Sequence, residues 1–96
     1  MILSPLCLII LIMFEAYPPV HRDAPQRLFT RLMDDHLPYI DRRTLDEAFD
    51  ILRGKEGGMI YISYNYGIYE VTYVGRRELE SDARVQVIRW VMAKKP

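Results

Sequence analysis

Cysteine occurs once, tryptophan once and histidine twice in these 96 residues, and neither sign of charge is in excess. Each scarcity removes a class of protein. The lone Cys7, set between Leu6 and Leu8, cannot close an internal disulfide, so the fold must rest on its apolar core, in keeping with a reducing, cytoplasmic setting. His21 and His36 have no further His or Cys at ligand spacing, which predicts no metal site. Thirteen basic and thirteen acidic residues cancel, so no overall field draws the chain to nucleic acid or to an anionic membrane.

Catalytic signatures are missing too. Asp35-His36 looks like half of an acid-base pair, but a helical wheel sets His36 in the apolar stripe of Leu28, Leu32 and Met33, where it reads as helix packing. None of Ser4, Ser63 and Ser81 lies in a Gly-x-Ser-x-Gly elbow. Gly54-Lys55-Glu56-Gly57-Gly58 has the glycines of a phosphate loop, yet it leaves a helix instead of opening one and carries an acid. These absences predict no enzyme, no cofactor and no small-molecule substrate.

Apolar residues, by contrast, make up half of the chain, enough for a core at this size. Nine stand in a row from Leu6 to Phe14. Met1 to Phe14 would span about 21 Å as a helix, short of the roughly 30 Å of a bilayer's hydrocarbon. No positive residue precedes Glu15, as a secretory signal would require. A run without alternation predicts a central strand covered on both faces, with a membrane-associating segment over residues 1–16 as the alternative. Residues 17–22, with Pro18-Pro19, read as a connector.

Two amphipathic helices are expected next. Asp23-Ala24-Pro25-Gln26 opens the first, which runs to about His36 ahead of Pro38. Thr44-Leu45-Asp46-Glu47 has the form of a capping box for the second, with Leu45, Ala48, Phe49, Ile51 and Leu52 inward, Asp46, Glu47, Asp50 and Arg53 outward, and Gly54 as its stop. From Met59 to Val74 the period changes to that of a hairpin. A three-residue loop, Asn65-Tyr66-Gly67, would group Tyr61 and Ser63 with Tyr69, Val71 and Tyr73; a two-residue loop would shift the partner strand by one. Ser81 to Ala93 reads as a helix apolar over an unusually wide arc, which calls for cover on two sides.

The fold expected is thus a single α+β domain over residues 1–96, in the order β-α-α-β-β-α. Its three-stranded sheet has the N-terminal apolar run as central strand beside a Tyr-rich hairpin, and three helices pack against it. Tyrosine and arginine bring large contact area with a polar end, and both concentrate late in the chain. The function expected is a non-enzymatic protein-binding module, an inhibitor, adaptor or small subunit, that docks to or masks another protein or a second copy through the Tyr-rich hairpin or the broad apolar C-terminal helix. Its contact residues would be Tyr61, Tyr64, Tyr66, Tyr69, Tyr73, Arg76, Arg77 and Trp90. A nucleic-acid regulator using Arg76, Arg77, Arg84 and Lys94-Lys95 is the alternative, since Gly75 to Pro96 holds six basic against three acidic residues. A small membrane-anchored cytoplasmic domain is the second alternative.

Overall fold

The computed structural model describes residues 2–16, 20–21, 41–54, 60–65 and 68–94. The helix expected from Asp23 to His36, the turn residue Tyr66 and the side chain of Tyr64 lie outside the described residues. What is described is a small α+β structure with four helices and an antiparallel hairpin.

The apolar run is a helix, α1 (Pro5–Ala16), and not the central strand. Its start has a local cause. Ser4 caps it, its Oγ accepting the Cys7 amide at 3.3 Å and its carbonyl the Leu8 amide at 3.2 Å, while Pro5 takes the first helical position, where a missing N–H costs nothing. Cover on every side, the property that had suggested a central strand, is met in helical form. Cys7, Leu8, Ile10, Leu11, Ile12, Met13 and Phe14 are buried, and Leu6 and Ile9 are half-buried. An α-helix apolar all round must be enclosed by other elements. Here α1 meets the second helix, the hairpin and both C-terminal helices.

The second helix, α2 (Arg42–Arg53), buries Leu45, Ala48, Phe49 and Leu52 against α1 as its pattern dictates, although Ile51 turns outward. Its cap is Asp41, not Thr44: the Asp41 carboxylate accepts the Thr44 amide at 2.7 Å, and these hydrogen bonds hold the carboxyl below its ordinary value. The wet face carries ion pairs at helical spacing, Arg42–Asp46 (3.5 Å), Arg43–Glu47 (3.3 Å) and Asp50–Arg53 (2.6 Å). Gly54 ends the helix at a positive φ of 85°, donating to the carbonyls of Asp50 and Ile51.

The hairpin pairs β2 (Ile62–Asn65) with β3 (Ile68–Val71), and Val20–His21 (β1) pairs with the other edge of β3. The sheet's centre is therefore β3. Ile62 stands opposite Val71 and Asn65 opposite Ile68, which is one residue from the three-residue-loop register. It is the two-residue-loop alternative, and since side chains alternate with period two, Ile62 and not Tyr61 or Ser63 shares a face with Tyr69 and Val71. Ile62, Tyr69 and Val71 turn to the core and Glu70 turns out. Phe14 joins the layers, its ring centroid 5.8 Å from Phe49 on α2 and 6.0 Å from Tyr69 on β3.

Beyond Val71 the expected strand stops. Thr72 caps a further helix, α3 (Tyr73–Ser81), by accepting the Gly75 amide on its Oγ at 3.1 Å, so Tyr73, Val74, Gly75, Arg76 and Arg77 are helical instead of strand and loop. Asp82 then starts α4 (Arg84–Lys94), accepting the Arg84 amide at 2.9 Å. The described order is helix, short strand, helix, two strands, two helices, in place of β-α-α-β-β-α.

Candidate protein-interaction surface

The expected contact residues divide into two groups. Tyr61 and Tyr69 belong to the interior: Tyr61 is only 9% exposed, and Tyr69 packs on Phe14. Tyr61 is also pinned through its backbone. Its amide donates to the Leu52 carbonyl at 2.9 Å and its carbonyl accepts the Thr72 amide at 3.0 Å, so one residue serves the end of α2 and the cap of α3. Tyr61 is thereby withdrawn from the surface, and Tyr69 is half-buried.

The other group is exposed and helical. Tyr73 is 67% exposed on α3, with Arg76 and Arg77 on the same outward side. Gly75 and Leu79 form the opposite, buried stripe that seats α3. The Arg77 guanidinium lies 5.9 Å from the centroid of the Tyr73 ring, within cation–π range. Among the described residues neither Arg76 nor Arg77 has a carboxylate partner.

On α4 the apolar arc divides into a seated side and a more exposed one. Val85 is buried and Ile88 and Met92 are half-buried against the core, whereas Val87, Trp90 and Val91 are 62%, 59% and 53% exposed. Their spacing places all three on one helical stripe. Val87 and Val91 were not among the expected contact residues; the wide arc was their only signal in the sequence.

α4 is held to the body at both ends of its first two turns. Arg84 binds the Asp82 carboxylate through Nε (3.0 Å) and Nη2 (2.7 Å) and also donates to the Leu3 carbonyl at 2.6 Å. Arg89 reaches Glu15 on α1 at 2.9 Å. These bonds take Arg84 out of the basic edge expected for nucleic acid. Among the described residues no cluster of three or more His, Cys, Asp or Glu could hold a metal ion, and no helix is long and apolar enough to cross a membrane. No protein-family model, curated protein or solved structure matches this chain.

Proposed function

We propose that this chain is a non-enzymatic protein-binding module that docks on its partner through the outward stripe of α4. The carrying observation is the stripe itself: a tryptophan and two valines exposed one helical turn apart on a helix whose other side is seated in the core. Tryptophan is the residue type most enriched where truncation weakens an interface, and it combines large area with few rotatable bonds. A helix anchored by Arg84 and Arg89 offers this stripe with little ordering left to pay on association. An inhibitor, an adaptor and a small subunit would each work in this way, by one-to-one docking or masking.

The test is affinity capture by the tagged full-length chain from a native extract, beside the variant Val87→Ser with Trp90→Ala. A stoichiometric protein held by the parent and lost by the variant, at unchanged helical circular dichroism, supports the reading. A partner retained by the variant removes α4 from the interface. Sedimentation of the purified chain decides whether the partner is a second copy.

A further inference from the structure

The outward face of α3 carries a feature separate from the α4 stripe. Tyr73, Arg76, Arg77, Glu80 and Ser81 line an open depression of about 440 Å³. Helical spacing would pair Arg76 or Arg77 with Glu80, at i+4 and i+3, as the acidic and basic residues of α2 pair with each other. On α3 no such pair forms among the described residues. Arg77 instead turns back toward the ring of Tyr73.

We propose that this depression is a binding site for a carboxylate side chain, Asp or Glu, on a segment of the partner protein. A guanidinium attracted to an aromatic face can still offer N–H donors, and a planar fork of donors fits a carboxylate in bidentate fashion. The Arg77 guanidinium lies over the Tyr73 ring at 5.9 Å, Arg76 lines the same depression and the Ser81 hydroxyl adds a neutral donor. Two guanidiniums against the one Glu80 carboxylate leave a single positive charge in the lining, the match for one acidic side chain. Nucleic acid offers a row of phosphates and requires a continuous basic track, which Glu80 in the lining interrupts. The depression is open and half polar, unlike the enclosed apolar cavity that takes a small molecule. A shallow site of this kind suits a side chain whose affinity is completed by other contacts. The assignment of a peptide, not a free anion, rests on the protein-docking reading above.

The experiment is a titration of the isotope-labelled full-length chain, followed by amide and arginine side-chain resonances, with the capped peptide N-acetyl-Glu-Glu-Glu-amide. Parallel arms use the Gln-Gln-Gln peptide, inorganic phosphate and an eight-nucleotide oligothymidylate. Saturable shifts confined to residues 73–81 with the Glu peptide, and none with the Gln peptide, are expected. Arg76→Gln with Arg77→Gln should weaken binding by about tenfold or more, the loss of charge-assisted bonds, while Glu80→Gln should tighten it. Trp90→Ala should leave this titration unchanged, so failure of α4 docking and failure of the α3 site are told apart. Equal binding by the double-arginine variant, or equal shifts with the Gln peptide, overturns the proposal. Tighter binding of phosphate or oligothymidylate than of the Glu peptide overturns the choice of ligand.

Discussion

The guanidinium of Arg84 donates to the backbone carbonyl of Leu3 at 2.6 Å, tying the lead-in of α1 to the first turn of α4 across 81 positions of sequence. The same guanidinium forks onto Asp82, which is 15% exposed while Arg84 is 39% exposed. One side chain thus bonds the carbonyl of the core residue Leu3 and braces the α3–α4 corner.

Replacing Asp82 by Asn keeps an acceptor for the Arg84 amide and removes only the charge. The hydrogen bonds from the Arg84 side chain, and next from its amide, hold the Asp82 carboxyl below its ordinary 3.8. A lowered carboxyl stabilises the fold above its unfolded-state value, and that contribution fades as pH falls through the lowered one. Asp82→Asn should therefore melt below the parent by a constant interval from neutral pH to about pH 5, and the interval should shrink below about pH 4. Thermal unfolding of both chains between pH 7 and pH 3 measures it. An interval that stays constant to pH 3 would show that the charge contributes nothing.

Alanine usually improves a helix over glycine by up to about 1 kcal/mol, but Gly75 should behave in the opposite way. A Cβ there would sit 2.3 Å from the Tyr61 carbonyl oxygen and 2.7 Å from Val71 Cγ1, the first a backbone atom already bonded to the Thr72 amide. The helix would have to lift off the hairpin. Urea unfolding of Gly75→Ala should show a loss of roughly 1–3 kcal/mol, the range for overpacking. A gain would mean that α3 approaches Tyr61 less closely.

The same corner shows why part of the fold was legible in the sequence and part was not. The amphipathic stripe of α2, Ile51 apart, and its Gly54 stop read correctly because both are local patterns. The α4 segment read as a helix, its C-terminal bound nearly right, though its start at Arg84 depends on the Asp82 turn. Leu6–Phe14 read wrongly because an unbroken apolar run has the same appearance in a buried strand and in an enclosed helix. The discriminating signal was small and adjacent: Ser4-Pro5, a cap followed by a proline suited to the first turn. Tyr73 and Val74 have the propensities of a strand, and a single Thr72 cap overrode them. The two hairpin registers could not be told apart from local residues; the observed one, with the two-residue loop, sets Ile62 opposite Val71, on the face where Tyr69 meets Phe14.

Thr72→Val is close to isosteric and deletes two bonds at once. The hydroxyl accepts from the Gly75 amide at 3.1 Å and donates to the Ile60 carbonyl at 2.6 Å. Loss of an N-cap costs about 1 kcal/mol, and the Ile60 carbonyl, freed at an exposed position, can turn to water and adds little. Thr72→Ser should recover most of the difference in urea unfolding. If Ser fails to rescue, the methyl group and not the hydroxyl carries the effect.

Cys7 reports on the core that encloses it. The residue is 0% exposed, its thiol 3.9 Å from the Ala48 carbonyl, and Leu8 and Leu11 beside it on α1 are fully buried. A thiol reagent can reach it only when α1 separates from α2, so modification in native buffer measures that opening. Leu11→Ala removes side-chain volume at the centre of α1 and should cost 2–5 kcal/mol, about the range for such truncations. If α1 leaves the core only on global unfolding, the modification rate under fast reclosing should rise about tenfold for each 1.4 kcal/mol lost in equilibrium unfolding. Val87→Ser, outward on α4, should leave the rate near that of the parent. A Cys7 that reacts readily in the parent, or whose rate ignores Leu11→Ala, would place the opening of α1 below the global transition and make it a separately mobile helix.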